Sequence, residues 1–209
     1  TQTPQCFNFQ EIFNLYKKNK EKITDEASLY LRNNKKIKFI LGDKRNIKIT
    51  TIEDFNYLKS ENYYGIGFDI HRLIKNKKLF LGGVKINYHS GLKGHSDGDV
   101  ILHAIIDALL GAMRKSDIGT LFPSNSNKFK NIRSKNMLTP VLKLINDNNF
   151  SIDNIDINLI CENPKVYKIR NKIIKSLSTL LSINKNFLNL KGKTVEKLGI
   201  IGKEQAIAC

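Results

Sequence analysis

The chain has 209 residues, of which 41% are hydrophobic, and its formal net charge is +16 at pH 7. No apolar run approaches the roughly 20 residues of a membrane-spanning helix, and three isolated cysteines exclude a disulfide framework. Only six of the 35 basic residues are arginine, and no recognition motif accompanies them, which argues against a nucleic acid as partner. The composition predicts a globular protein of a reducing cytoplasm, with no membrane partner.

The N-terminal part of the chain predicts a short α/β unit. The spacing of its aromatic and aliphatic residues predicts a helix over 9–20. Short strands are predicted over 36–41 and 47–51, and a closing helix over 52–60. Almost no linker follows, so we place the domain boundary between residues 60 and 61.

The remaining residues, 61–209, mix predicted strands and helices without strict alternation. This order favours an α/β sandwich, in which a mixed sheet carries helices on one face. Strands are predicted over 64–70, 79–84, 155–161 and 188–193, with another beginning at 206, and helices over 98–114, 137–148 and 167–182. The Gly82-Gly83 pair indicates a turn or bulge, and residues 115–133 are predicted to be irregular.

Two short segments hold three of the four histidines. Asp69 and His71 lie two residues apart, so on a strand both side chains point to the same side. Asp99, His103 and Asp107 share one stripe of an otherwise apolar predicted helix, where ionisable groups are costly unless paired, metal-bound or beside water. Two imidazoles and a carboxylate suit a zinc ion with an open coordination position. The alternatives are a surface strand pair without a metal and a hydrogen-bonded core histidine.

The start of the same helix carries a second signal. Ser96, followed three residues later by Asp99, resembles a capping box and predicts that the helix begins there. The free amides of such a helix start would suit an anion such as phosphate.

Five segments carry a resemblance to a known family. GIGFDIH from Gly65, LGGVKI from Leu81, GHSDGDVILHAIIDALLGA from Gly94, DIGTLFP from Asp117 and EKLGIIG from Glu196 resemble 2-C-methyl-D-erythritol 2,4-cyclodiphosphate synthases. The resemblance implies cyclisation of 4-diphosphocytidyl-2-C-methyl-D-erythritol 2-phosphate with release of CMP, in the non-mevalonate isoprenoid pathway. It also implies a homotrimer that binds a small cytidine diphosphate substrate, in a bacterial cytoplasm or a plastid stroma.

The resemblance also implies roles for individual residues. Zinc, or another divalent transition metal, is expected on Asp69, His71 and His103, and Mg²⁺ or Mn²⁺ on Glu196. His95 and Thr194 are the expected catalytic residues, which steady the transition state. The expected substrate-binding residues are Asp69, Ile70, His71, His95, Ser96, Asp117, Ile118, Gly119, Phe122, Pro123, Ser124, Asn125, Ser126, Cys161, Pro164, Lys165, Val166, Tyr167, Lys193, Thr194, Val195, Glu196, Ile200 and Lys203.

Several of these positions depart from the family pattern. Ser124, Asn125 and Ser126 stand where many members carry acidic residues. Lys193 stands where threonine is usual beside the cytidine. Lys203 replaces an arginine that contacts phosphate, which keeps the charge but loses the bidentate fork. We expect these departures to change the affinity for the substrate more than the type of reaction.

The N-terminal part resembles a different enzyme. The segments Thr3–Phe7, Ile23–Ser28 and Asn46–Asp54 are similar to the C-terminal end of 2-C-methyl-D-erythritol 4-phosphate cytidylyltransferase. Thr24 and Lys48 match positions that contact methylerythritol phosphate. The chain begins without methionine and stops within a predicted strand, so we expect a fragment of a bifunctional parent.

Two other function classes stay open on sequence alone. One is a zinc phosphohydrolase that uses the same ligands, which would release inorganic phosphate without a cyclic product. The other is a basic nucleic-acid-binding module, which steep salt dependence and insensitivity to chelators would reveal.

Overall fold

The computed structural model describes residues 4–19, 25–43, 46–58, 61–123, 126, 129 and 132–209. The chain divides into two compact units, residues 1–62 and 63–209. Among the described residues, no helix combines the length and the apolarity needed to cross a membrane.

The first unit contains three helices: α1 (Phe9–Lys18), α2 (Glu26–Arg32) and α3 (Ile52–Leu58). Asn8 and Asp25 cap the first two, because their side-chain oxygens accept the backbone amide protons of Glu11 and Ala27. Tyr30 is buried in this unit, and its ring lies 4.8 Å from that of Phe7.

The two strands predicted in this unit are wrong. The described residues of 36–41 and 47–51 form no strand, and Ile40 and Leu41 are 84% and 103% exposed. A strand requires a hydrogen-bonded neighbour, and no ladder is present among the described residues of this unit. Helix α2, which was not predicted, is too short to produce a clear periodic pattern.

The second unit is built on a five-stranded sheet with the strand order β4-β1-β7-β5-β6. Its strands are β1 (Ile70–Lys75), β4 (Ser90–Leu92), β5 (Ile155–Ile160), β6 (Leu188–Lys193) and β7 (Ala206–Ala208), while β2 (Leu79–Leu81) and β3 (Val84–Ile86) form a separate hairpin. Strands β5 and β6 pair in parallel and the other pairs are antiparallel, so the sheet is mixed as predicted.

The described residues of this unit also form five α-helices: α4 (Val100–Ala112), α5 (Ile118–Leu121), α6 (Ser134–Asp147), α7 (Val166–Leu181) and α8 (Gly199–Gly202). Helix α4 is apolar on nearly every face, and Ile101 and Ile106 are fully buried in one core with Leu159, Ile173 and Leu177. The predicted α/β fold class is therefore confirmed. Helices α5 and α8 and strand β4 were not predicted, because segments of three or four residues are too short to show a periodic hydrophobic pattern.

The first predicted strand of this unit has the wrong bounds. Residues 64–69 have no assigned strand, and β1 instead runs from Ile70 to Lys75, where it pairs with β4 and β7. The predicted strand 79–84 is interrupted at Gly82 and Gly83, whose φ angles of 58° and 80° make the turn of the β2–β3 hairpin.

The segment before β1 lies directly against helix α4. A Cβ atom added at Gly67 would stand 1.8 Å from the carbonyl oxygen of Ala104. We expect Gly67→Ala to lower the free energy of unfolding by about 1–3 kcal/mol, as overpacking does. Urea denaturation would measure this loss. Gly111→Ala is the matched control on α4, because the nearest atoms lie 3.9 Å away and alanine favours a helix. Equal stability of both variants would contradict this account.

Candidate functional site

Asp69, His71 and His103 bring three donor atoms together in the second unit. Asp69 Oδ2 lies 2.8 Å from His71 Nε2 and 2.9 Å from His103 Nδ1, and the two imidazole nitrogens are 3.1 Å apart. Donors that bind zinc at about 2.0–2.1 Å in a tetrahedron are roughly 3.3 Å apart. No other group of three potential metal ligands occurs among the described residues. The triangle therefore fits one metal ion.

Strand β1 and helix α4 position these three side chains. Asp69 and Cys209 exchange backbone hydrogen bonds of 3.0 and 2.9 Å, which extend the β1–β7 pairing and fix the residue before the strand. His71 lies in β1 opposite Ile207, so it shares a side of the strand with Asp69, as alternation requires. His103 lies in the first turn of α4.

The electrostatics of the triangle favour a cation. Burial acts to raise the pKa of Asp69, but the hydrogen bonds from His103 and His71 outweigh it and hold that pKa below its ordinary value. The three side chains are only 11–21% exposed. Asp69 is thus an anion in a partly desolvated place, with two imidazole nitrogens beside it.

Asp99 has a different role from the one its spacing suggested. It is the N-cap of α4, its side chain accepts from Leu102 N, and it also accepts from Gly82 N and Gly83 N at 2.8 and 2.6 Å. Burial raises the pKa of this fully buried carboxyl, and the amide hydrogen bonds oppose that rise. The capping-box prediction for Ser96 is therefore wrong, since Asp99 is the N-cap and its side chain accepts one of the helix-start amides, Leu102 N.

A cleft of about 220 Å³ opens beside the triangle. His95 and Ser96 line it from the turn before α4, and α5 with the following segment forms the opposite wall. The predicted substrate-binding residues at this cleft are Asp69, His71, His95, Ser96, Ile118, Gly119, Phe122, Pro123 and Ser126. Asp117 caps α5 through Thr120 N and, like Ile70, does not line the cleft. Ser124 and Asn125 lie outside the described residues.

The sequence missed several residues around this cleft. Asp107 lines it and accepts the backbone amide proton of Ile118 at 2.7 Å, which fixes the start of α5. Its position four residues after His103, about one helical turn further along α4, could have indicated that it lies at the same site. Phe129, Ile132 and Met137 also line the cleft, and Ser134 contacts His103 from α6. Nothing local in the sequence pointed to these four residues.

A second cluster gathers at the carboxyl ends of the parallel strands β5 and β6. Cys161 N donates to Lys193 O at 3.0 Å, and Thr194 Oγ1 donates to Glu196 Oε1 at 3.2 Å. The predicted residues in this part of the fold are Cys161, Pro164, Lys165, Val166, Tyr167, Lys193, Thr194, Val195, Glu196, Ile200 and Lys203. None of these described residues lines the cleft beside the triangle. The cleft of a single copy is therefore lined by only part of the predicted site.

Glu162 organises the second cluster. Its Oε1 accepts from Val195 N at 3.1 Å and from Lys197 N at 3.3 Å. These bonds hold a turn in which Glu196 and Lys197 have φ angles of 52° and 62°. Consecutive non-glycine residues in the left-handed region store strain, and such strain concentrates at functional sites.

The structure does not test whether the two residues predicted in the first unit lie in one site. Lys48 is exposed, and Thr24 lies outside the described residues.

Comparison with known proteins identifies both parts of the chain. Residues 63–209 match the sequence profile of the YgbB family, and residues 1–61 match that of 2-C-methyl-D-erythritol 4-phosphate cytidylyltransferase. The resemblance read from the motifs is thereby confirmed.

Individual relatives agree with this division. A bifunctional enzyme IspD/IspF of Pelagibacter ubique is 49% identical over 100% of this chain, which spans only 56% of that relative. A 2-C-methyl-D-erythritol 2,4-cyclodiphosphate synthase of Caldicellulosiruptor bescii is 46% identical over 69% of this chain and 92% of its own length. Among solved structures, a CDP complex of Plasmodium falciparum IspF is 46% identical, with a TM-score of 0.62 over 72% of this chain and 94% of that one.

Proposed function

The chain belongs to the YgbB family, and on this premise we propose that residues 61–209 form a metal-dependent 2-C-methyl-D-erythritol 2,4-cyclodiphosphate synthase domain. The observation that carries the proposal is the donor triangle of Asp69, His71 and His103 beside an open cleft. The Caldicellulosiruptor synthase, nearly all of which the chain covers, supports it.

The proposed reaction closes a ring within one substrate. An oxygen of the 2-phosphate attacks the β-phosphorus of 4-diphosphocytidyl-2-C-methyl-D-erythritol 2-phosphate, the bond from that phosphorus to the bridging oxygen breaks, and CMP leaves. Such phosphoryl transfer depends on alignment and charge neutralisation more than on covalent catalysis. We assign alignment to His95, Ser96, Ile118 and Gly119, which line the cleft beside the triangle, and to Asp117 at the N-cap of α5.

The donor set of the triangle supports zinc as the resident metal. Two imidazole nitrogens and one carboxylate oxygen form a common catalytic zinc set, which leaves a position for a substrate oxygen. When bound, the ion would withdraw charge from a phosphate oxygen. Asp69 supplies the negative charge of the site, and the two histidines bind through neutral nitrogens. We assign Mg²⁺ or Mn²⁺, which prefer oxygen ligands, to Glu196 together with the substrate diphosphate.

The second cluster supports a cytidine site. The Plasmodium falciparum neighbour was solved with CDP, and its similarity extends over this part of the chain. We assign the cytidine to Cys161, the segment 164–167 and Lys193, and the transition-state contact to Thr194. Lys203 and Ile200 lie on the neighbouring helix α8 and its cap.

Direct assay of the chain tests the function. Incubation with the substrate, Zn²⁺ and Mg²⁺ should yield CMP and the cyclic diphosphate in equal amounts, and a chelator should stop both. Release of inorganic phosphate without a cyclic product would instead identify a phosphohydrolase. Salt-dependent binding of RNA or DNA, unaffected by the chelator, would favour the nucleic-acid-binding alternative.

We further propose a homotrimer whose active sites lie between neighbouring subunits. Within one chain the cleft beside the triangle is lined by none of the predicted residues of the second cluster, and a facing copy could supply them. Sedimentation should then give about three times the chain mass of 23.9 kDa. A stable, active monomer would refute this proposal.

Complementation between two inactive variants should reveal the shared site. His103→Ala damages the triangle and Glu196→Gln damages the second cluster, so each variant alone should be nearly inactive. Co-expression in equal amounts should restore roughly one quarter of the wild-type activity, since about one in four intersubunit sites receives two intact halves. No recovery in mixed trimers would place both halves of the site in one subunit.

A separate proposal concerns a longer parent protein that would include this chain. The bifunctional relatives support a parent that also transfers cytidylyl groups, with residues 1–60 forming the end of its transferase domain.

A further inference from the structure

The second ring nitrogen of His103 faces two hydroxyl groups. His103 Nε2 lies 3.0 Å from Ser134 Oγ and 3.1 Å from Ser96 Oγ, while Nδ1 points to the metal triangle. A metal-binding imidazole needs its other N–H satisfied, because that hydrogen bond sets the tautomer and the ring orientation. One of these serines must therefore fix the ligand.

Ser134 has the buried and fully oriented hydroxyl of the pair. It is 0% exposed, at the start of α6, and its hydroxyl donates a short hydrogen bond to Asp97 Oδ1. The backbone amide of Ser134 donates to the same oxygen at 3.1 Å. With its proton committed to Asp97, the hydroxyl oxygen can accept the N–H of His103 Nε2.

Asp97 is itself held from its other side. Arg133 Nε donates to Asp97 Oδ2 at 2.6 Å, and the Arg133 guanidinium lies 3.9 Å from the centre of the Phe80 ring. The Asp97 side chain is only 7% exposed. The ion pair and the cation–π contact leave the carboxylate little freedom to turn away from Ser134.

Ser96 is the more exposed hydroxyl of the pair. It is half-buried on the cleft wall, its Oγ accepts the amide proton of Gly98 at 3.1 Å, and the same atom lies 3.3 Å from Ser134 Oγ. Ser96 can therefore turn toward a ligand in the cleft, while Ser134 keeps its contact with His103.

We infer that Ser134 is a positioning residue of the metal centre, joined to His103 on one side and to Asp97 on the other. This inference rests on the proposed metal site. The chain of hydrogen bonds from Asp97 through Ser134 holds His103 Nε2 as a donor, so that Nδ1 presents its lone pair to the ion. The carboxylate also makes the imidazole a stronger ligand. Helix α6 is thereby coupled to the metal site without contributing a ligand.

Metal affinity, measured apart from activity, tests this role. Zn²⁺ and Co²⁺ dissociation constants would be determined by chelator competition for the unaltered chain and for Ser134→Ala. The variant should bind each metal about 10–100-fold more weakly. Ser178→Ala is the matched control, because it removes another part-buried helix serine hydroxyl, which donates to Ile183 O. That control should stay within about threefold of the unaltered chain. Ser96→Ala, which also removes a contact with His103 Nε2, should weaken metal binding less than Ser134→Ala does.

A double-mutant cycle with Asp97→Asn separates positioning from general destabilisation. If Asp97 acts through Ser134, the double variant should bind metal no more weakly than the worse single variant. Asp97→Asn also serves as the informative variant if Ser134→Ala does not fold. Unchanged affinity in Ser134→Ala, or strictly additive losses in the cycle, would overturn the inference. Failure of the unaltered chain to bind either metal would overturn the metal site as well.

Discussion

Replacing His103 with alanine should remove most of the bound zinc and nearly all cyclisation activity. The substitution deletes one of three donors, and of the two imidazole contacts of Asp69 it leaves the one with His71 at 2.8 Å. Loss of a direct ligand should cost more than the 10–100-fold effect typical of an outer-shell residue. Metal analysis of the purified variant and assay of CMP release would measure both effects.

The fold should survive this substitution. His103 faces the cleft, whereas the core around α4 is made by its neighbours Ile101, Leu102 and Ile106, and alanine is a good helix former. His89→Ala is the matched control, because His89 is exposed and its imidazole packs against the Tyr88 ring, outside the proposed metal triangle. A folded His103→Ala protein with full zinc occupancy would show that the triangle does not hold the metal.

The metal-binding triangle was predicted from local sequence patterns. The two-residue spacing of Asp69 and His71 determines which side of a strand they share, and the position of His103 on an apolar helix made a buried, unpartnered imidazole costly. Both arguments need only neighbouring residues. The start of α4 was misjudged because the partners of Asp99 are the amides of Gly82 and Gly83, far from it in sequence.

Long-range contacts were the part that the sequence could not reveal. Ser134 reaches His103 only because α6 packs against α4, and the ion pair between Arg133 and Asp97 joins residues 36 positions apart. The limits of the strands show the same effect. Strand β1 begins at Ile70, within the stretch that pairs with β7 and β4, and not at the earlier residues that have high β propensity. Propensity predicts which residues can form a strand, whereas pairing decides which do.

Removal of the first unit should leave cyclisation intact. Residues 63–209 form a compact unit with their own core, and this unit contains every proposed metal ligand. A chain that begins at Tyr63 should therefore match the longer chain in zinc content and in CMP release. A large loss of either would show that the synthase site depends on residues 1–62.

The converse experiment is made in the bifunctional parent, where Lys48→Ala should weaken binding of methylerythritol phosphate during cytidylyl transfer. Lys48 is exposed, so it is free to meet a phosphate, and a charged hydrogen bond of roughly 1.5–3 kcal/mol corresponds to about a 10–150-fold loss of affinity. Lys38→Ala removes another exposed lysine of the same unit and should change neither reaction. Cyclisation should be normal in both variants, because the proposed synthase site lies wholly within residues 63–209. If Lys48→Ala abolished cyclisation but spared cytidylyl transfer, the assignment of the two activities to the two units would be wrong.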